Sequence, residues 1–589
     1  MINNHRLALL SIGAIAFALL VDEIMLSAIF HVLLGAGNTV AAIAIALAGL
    51  SASGIVAYAV PALHDPERAA GLLHYLVFGF ALSLLASVYA IMAVPIHHGD
   101  LVYHHADPAV QLWKIAIYHI TVAPFFIGGL TIAVLFRSEP DRIGRLYFVD
   151  LIAAAAACVI SPALLSWLGA PGAILLAAAP AALLGSYLIS RARDWRLALV
   201  VIPALLLIAG VIRPQLLSFS KINTMGEVSA LNYRTLTIEE GDIEYERWAL
   251  DAWTIIRSDE MIQQWENFRG WGLSPTYDGP IPETKLINYN ARFSTYVTRR
   301  DGDPTALAEW IDADLSTLHH LIGRQYDEVL NVGAGGGRET LAALQHGAKH
   351  VVAVDVSQVV VEDIMKGTLR EFSGGLYLDP RVDAIADEGR SFVERSTAIF
   401  DLIEFSIVGG MNLEKMDLVR VDDLFTQEAL DTYLRRLDEG GVFSYVMYTT
   451  RSDIVSELAS AEGPPAQPYI PALRTLTGLR LALEEIDPGI RFSDHVLVAA
   501  LPKMVNPRYD LVHIIVSLSP FTPAERKQFT ALCARLDFLA LHPSGPTPAE
   551  AENLYKRIAT SPKLAAAATQ RIKNNKRFTN RPTHADKPR

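Results

Sequence analysis

Cysteine is almost absent: Cys158 and Cys533 are the only two in 589 residues. One sits in an apolar block and the other far down the chain, so a disulfide framework and a cysteine-built zinc cluster are both excluded. A basic surplus is absent too. Lys and Arg number 50 against 62 Asp and Glu, leaving a net charge of −12, which gives no support to nucleic-acid binding. Charged residues make up only 19% against 51% hydrophobic, and mean hydropathy is +0.29. The scarcity of charge is uneven. Residues 1–213 are apolar blocks, while 214–589 hold most of the acids and bases.

Apolar blocks fall at 7–34, 38–61, 70–95, 110–136, 145–169, 171–190 and 197–213. Most meet the ~20 residues that a membrane helix needs, and the last is the shortest. The first runs past the short apolar core of a signal peptide. Residues 1–213 are therefore expected to form a helical domain of about seven spans, in a bacterial inner membrane and in contact with its lipids. Asp22 and Glu23 interrupt the first block. Acids are costly inside a bilayer, so a bundle-facing role is expected for both. Asp150 reads either the same way or as an interfacial partner of Arg145. The loop 96–109 carries His97, His98 and Asp100, then His104, His105 and Asp107. Two such units could ligate a divalent cation, but a solvated polar loop explains them equally well, and no metal is assigned.

The stretch 326–357, YDEVLNVGAGGGRETLAALQHGAKHVVAVDVS, organises the second half. A strand at Glu328–Val332 enters a turn with Gly333, Gly335 and Gly337. A helix follows over 338–346, then a strand over His350–Val354 that stops at Asp355. Strand–turn–helix–strand over about thirty residues predicts parallel strands joined by a crossover helix. Glycines let a ligand approach, N–H groups at the helix start suit an anion, and an acid at the second strand's tip can accept from a ribose. A dinucleotide turn, G-x-G-x-x-G, would place its last glycine at Arg338; the G-x-G-x-G found here resembles the first motif of class I S-adenosylmethionine (SAM)-dependent transferases. Strands are expected at Asp383–Ala386, ending in Asp387, at Phe400–Phe405 and at Gly441–Tyr448, with a helix over Glu428–Leu437. An antiparallel edge pair is expected at His495–Ala500 and Leu511–Ser517. Asp387 falls where a carboxylate can accept from an adenine amino group. The lead-in, 214–320, reads as short strands, at Thr235–Glu239, Trp253–Arg257, Lys285–Tyr289 and Tyr296–Arg299, and a helix from about Pro304 to Ile322. Trp248, Tyr289, Tyr296 and Arg299 are its candidates for lining a substrate pocket. Four parts result: 1–213, 214–320, a SAM-binding α/β domain at 321–520, and a helical segment with a basic tail at 521–589, the tail suited to anionic headgroups.

GAGGGRETLAAL…VVAVDVS, IADEGRSFVERSTAIFDLI and DLFTQEALDTYLRRLDEGGVFSYVMY, in that order, resemble the spermidine synthase group of SAM-type folds. The spans with YFVDLIAAA at 147–155 are similar to membrane-fused spermidine synthase-like proteins. The resemblance implies a Rossmann-like α/β fold with a β-rich lead-in, SAM or decarboxylated SAM as donor, and a polyamine acceptor. It also implies a D-x-x-D-P loop after the strand FDLIEF, whose first acid is the base. Ser406 and Gly409 stand at the two acids, and Glu404 is the nearest carboxylate. Glu404 and Ser406 are therefore the catalytic candidates. Methyl transfer from SAM, to an acceptor delivered by the membrane, is the leading expectation, because positioning alone can supply much of its rate. Aminopropyl transfer is the alternative, and a nucleoside-binding transporter or sensor without catalysis is the third; a homodimer is possible in each. Arg137, Arg142 and Arg145, and Arg191, Arg193 and Arg196, place their loops in the cytoplasm by the positive-inside rule. Seven crossings would put residue 214 outside, so 197–213 is expected not to cross, leaving the α/β half beside the cytoplasmic donor pool.

Overall fold

The computed structural model describes residues 5–34, 36–63, 65–93, 107–192, 223–224, 236–237, 243–249, 252–257, 272–290, 293–300, 302–408, 424–450, 471–506 and 509–543. The chain divides into two compact units. One is Met1–Met225 with Thr235–Ile255 and Tyr289–Ala291; the other is Gly226–Arg234 with Ile256–Asn288 and Arg292–Arg589. The block at 197–213, the histidines at 97–105, Gly409 and the tail at 571–589 lie outside the described residues.

The first unit is a helical bundle: α1 (His5–Leu34), α2 (Ala36–Ala59), α3 (Pro66–Ala93), α4 (Pro108–Ser138) and α5 (Ile143–Ala192). Among the described residues, five helices are long and apolar enough to cross a membrane. At ~1.5 Å per residue the 50 residues of α5 would reach roughly 75 Å, well beyond the ~30 Å apolar core of a bilayer. Gly169 resolves this, because its φ of 69° and ψ of 169° break the helix. The break falls between the blocks expected at 145–169 and 171–190. A side chain there would also meet Trp248, 3.0 Å from the Cβ position. Asp22 is fully buried in the bundle and its two carboxylate oxygens have no hydrogen-bond partner among the described residues. Asp107, expected within the polar loop, caps α4 by accepting from the Ala109 N–H at 2.8 Å.

The lead-in strands are β1 (Ile243–Trp248), β2 (Trp253–Arg257), β3 (Thr284–Tyr289) and β4 (Phe293–Thr298), in sheet order β1-β2-β3-β4. The helix expected to reach Ile322 stops early, as α6 (Pro304–Asp312). Asp314 then caps a separate 3-10 turn at Leu315–Thr317, accepting from the Ser316 N–H. The main sheet comprises β5 (Glu328–Val332), β6 (His350–Asp355), β7 (Val382–Ala386), β8 (Phe400–Ser406), β9 (Leu437–Thr450), β10 (Val496–Asn506), β11 (Tyr509–Ser517) and β12 (Leu539–His542). Their order is β12-β10-β11-β9-β8-β5-β6-β7. From β9 to β7 all pairs are parallel, and β11, β10 and β12 add on antiparallel. The sheet takes its edge strand β12 from beyond residue 520, past the helix α7 (Pro523–Arg535). Alternation sorts the sheet's faces. Leu330, Val332, Ile403, Phe405, Phe443 and Tyr445 form one apolar core. The residues between them, Asn331, Glu404 and Ser444, stand on the other face.

Candidate functional site

The carboxyl ends of β5, β6 and β7 carry the expected nucleoside residues. Gly333, Gly335 and Gly337 all have φ in the left-handed region, at 77°, 48° and 81°, where other residues are strained. Gly336 went unnoticed in the sequence, yet its constraint is the tightest. A Cβ there would lie 2.1 Å from the Tyr296 carbonyl oxygen on β4. Its N–H donates to the Thr295 hydroxyl at 3.0 Å. Tyr377 donates its hydroxyl to the Gly335 carbonyl at 2.9 Å. Neither partner has a sequence signal, because both act across the fold.

The N–H groups of the turn itself, ahead of the helix start at Arg338, are used inside the protein. Gly333 and Ala334 donate to the Val354 carbonyl, Gly337 donates to Ala334, and Gly335 donates to Asp355 Oδ2 at 2.8 Å. Together with Gly336, all five N–H groups of the turn are bonded inside the protein. Asp355 is 7% exposed and its Oδ1 also accepts from the Ser357 N–H at 2.9 Å. These two bonds take one lone-pair site on each oxygen, of about four that a carboxylate offers. Asp387 is drawn alongside, its N–H donating to the Asp355 carbonyl at 2.9 Å. Its carboxylate accepts from the Glu388 N–H and pairs with Arg395, a side chain 62% exposed. Val356, directly after Asp355, is 63% exposed, an apolar surface beside the two acids that the sequence reading overlooked.

Arg338, where a dinucleotide turn would have glycine, is buried. It pairs with Asp314 at 2.6 Å and donates to the Ser316 hydroxyl at 2.7 Å. The turn is thus anchored to the segment before β5. Gly389, of the sequence DEGR, has a packing reason as well, since a Cβ would come 2.3 Å from a Val332 methyl.

The remaining candidates are spread out. Ser406 ends β8, half-buried. Ile407 follows at φ 50°, an outlier for a β-branched residue, and Val408 comes to lie against Gly333. Glu404 lies deeper, 2% exposed. Its carboxylate accepts from the Asn331 amide at 3.5 Å and approaches His319 at 3.4 Å. Burial pushes the Glu404 carboxyl well above, and the His319 and His320 imidazoles well below, their ordinary ranges. Tyr296 is 3% exposed and packs edge-on against Trp310 at 6.1 Å. Tyr289 is half-buried at the end of β3. Arg299 pairs with Glu283 and lies over the Phe372 ring at 4.6 Å, and Trp248 packs on Trp253. The structure gathers the glycines, Asp355, Asp387 and Ser406 at the strand ends. It does not bring Glu404 or Tyr296 to the surface there.

Residues 313–460 match the family described as Spermine/spermidine synthase domain. Polyamine aminopropyltransferase 2 of Pseudomonas aeruginosa is 27% identical over 139 residues, covering 22% of this chain and 38% of that protein. The Polyamine aminopropyltransferase of Pectobacterium carotovorum is 31% identical over 116 residues, covering 20% and 38%. The chain thus spans well under half the length of these curated relatives. Among solved structures, a spermidine synthase in complex with the transition-state analogue AdoDATO aligns at a TM-score of 0.30 and 16% identity, covering 52% of this chain and 82% of that one. The O-methyltransferase from Bacillus cereus aligns at a TM-score of 0.22 and 16% identity, covering 37% and 82%. The C-terminal part of the chain is spermidine synthase-like.

Proposed function

We propose that the second unit is the catalytic part of a transferase that takes an S-adenosyl donor at the ends of β5, β6 and β7 and passes an alkyl group to a small amine. Aminopropyl transfer from decarboxylated SAM is the leading form, ahead of the methyl transfer expected from the sequence. The observation that carries the nucleoside assignment is the pair Asp355 and Asp387, side by side beyond the glycine turn. The match of 313–460 and the relatives named polyamine aminopropyltransferase support the aminopropyl form.

The donor's sulfonium supplies an electrophilic carbon whose bond to sulfur breaks as the amine's lone pair attacks. The chain's own contribution is chiefly position. Asp355 would accept from ribose hydroxyls, Asp387 would accept from the adenine amino group, and Val356 would offer an apolar contact to the ring. The amine must also lose a proton. Ser406 and Gly409 occupy the places where the resemblance puts acids, and a hydroxyl is a poor base at neutral pH. That departure keeps methyl transfer from SAM as the second reading.

The first unit serves as a membrane domain in this proposal. Its outward faces carry Tyr58, Val159 and Trp167, each at least 78% exposed, an apolar surface of the kind that marks a membrane or partner contact. The full chain in detergent, given putrescine with each donor in turn, tests the reaction by the nucleoside released. 5′-Methylthioadenosine reports aminopropyl transfer, and S-adenosylhomocysteine reports methyl transfer. Neither product, with no donor binding by calorimetry, overturns the proposal; binding without turnover instead supports a nucleoside sensor.

A further inference from the structure

Beneath the strand ends lies a buried polar cluster with no part in nucleoside recognition. Strand register builds it. Glu404 on β8 is the direct partner of Asn331 on β5 and of Ser444 on β9, so the three side chains stand in a row on one face. His513 joins from β11 on the same side, and His319 and His320 come from the segment following the 3-10 turn. Glu404, His319, His320, Ser444 and His513 are all buried, and His319 and His513 are fully so.

The hydrogen bonds fix how His319 is presented. A carbonyl only accepts, so the contact of 2.7 Å between His513 Nδ1 and the Leu315 oxygen puts the proton on Nδ1. His513 Nε2 in the neutral ring is then an acceptor, and the Ser444 hydroxyl donates to it at 2.8 Å. Having spent its one proton, the Ser444 oxygen accepts from His319 Nδ1 at 3.2 Å. His319 Nε2 is left as a bare lone pair aimed at Glu404 Oε2, 3.4 Å away. Neither His319 Nε2 nor His320 Nε2 has a hydrogen-bond partner among the described residues. Two buried imidazole nitrogens without partners are costly. One ligand atom from each of His319, His320 and Glu404 lies within 4.8 Å of the others. Two ligands bonded at ~2.0–2.1 Å and tetrahedral angles sit about 3.4 Å apart, which is the observed His319–Glu404 spacing and long for a strong hydrogen bond.

We propose that His319, His320 and Glu404 form a buried site for a divalent cation of the zinc class. Two imidazoles and a carboxylate suit such a borderline ion. The Leu315–His513–Ser444 chain holds the His319 ring in the ligating tautomer, as outer-shell partners do. The ion clips the segment before β5 to the middle of the sheet and so supports the floor of the donor site.

The test uses the full chain in detergent, purified without a histidine tag, with His97, His98, His104 and His105 replaced by Gln. This background is expected to hold about one equivalent of Zn²⁺ by elemental mass spectrometry, and added Zn²⁺ raises its Tm after the metal is stripped. Glu404→Gln and His320→Gln abolish both effects. Ser444→Ala weakens Zn²⁺ affinity ~10- to 100-fold, as loss of an outer-shell partner does. Should the ligand variants fail to fold, the Zn²⁺-dependent Tm of the background and the Ser444→Ala titration decide. A background protein that holds no Zn²⁺ and whose Tm ignores it overturns the site, leaving a proton shared between Glu404 and His319. Equal Zn²⁺ in Glu404→Gln and His320→Gln overturns it too, because the ion then lies elsewhere.

Discussion

Tyr377 and Asp355 hold the glycine turn from two sides, one at the Gly335 carbonyl and one at the Gly335 N–H. Tyr377→Phe leaves that buried carbonyl unsatisfied and is expected to cost about 1–3 kcal/mol of stability, read as a lower midpoint in denaturant. An unchanged midpoint would show the bond to be dispensable. Asp355→Ala is expected to weaken donor binding by ~1–3 kcal/mol in calorimetry, and Gly335→Val to abolish it, since a side chain there meets Thr295. Equal affinity in wild type and both variants would remove the donor assignment. Asp379 closes the turn that carries Tyr377. Its bonds to Arg381, aided by Arg300, hold its carboxyl at about 2, below the ~3.9 of an unfolded aspartate. Because the folded value is the lower one, this stabilisation is full above pH ~4 and is lost as pH falls through about 2. Solvent screening limits it to ~1 kcal/mol. The Tm gap between wild type and Asp379→Asn should therefore shrink from pH 5 to pH 2, and a constant gap would refute the pairing. Motif residues such as Gly335 and Asp355 could be read from spacing alone. His319 and His320 could not, because the partners that give them meaning, Glu404, Ser444 and His513, arrive from three other strands.

Among the elements, the alternation of strands and helices from β5 to β9 was legible, since period and glycine punctuation agree there. The edge strand β12 was not. Four residues, Leu539–His542, are too short to carry a period. The early end of α6 was missed for a similar reason: the apolar spacing runs on past Asp312, but Asp314 diverts the backbone into its own capped turn. The break in α5 rests on one residue. Gly169→Ala must place a side chain at φ 69° and ψ 169° and against Trp248, at a cost of about 1–3 kcal/mol from the backbone alone. A lower Tm in detergent is the expected outcome, and an unchanged Tm would mean the break relaxes freely.

At the largest scale, in the membrane reading proposed above, the break at Gly169 would turn five long helices into six crossings. Six crossings would return residue 192 to the side of the amino terminus, which would also be the side of the loop at 137–145. Both arginine loops then obey the positive-inside rule together. A phosphatase reporter fused after Lys221 is expected to be silent, as is one in the 137–145 loop; activity only after Lys221 would mean that 197–213 crosses. The contact between Gly336 and the Tyr296 carbonyl also bears on kinetics. The donor turn and strand β4 share a boundary with no slack, so an acceptor that shifts β4 must alter donor affinity, and the donor must alter acceptor affinity by the same factor. Calorimetric titration of each ligand with and without the other would express that linkage as equal fold-changes in the two affinities, and unchanged affinities would show that β4 stays still when both are bound.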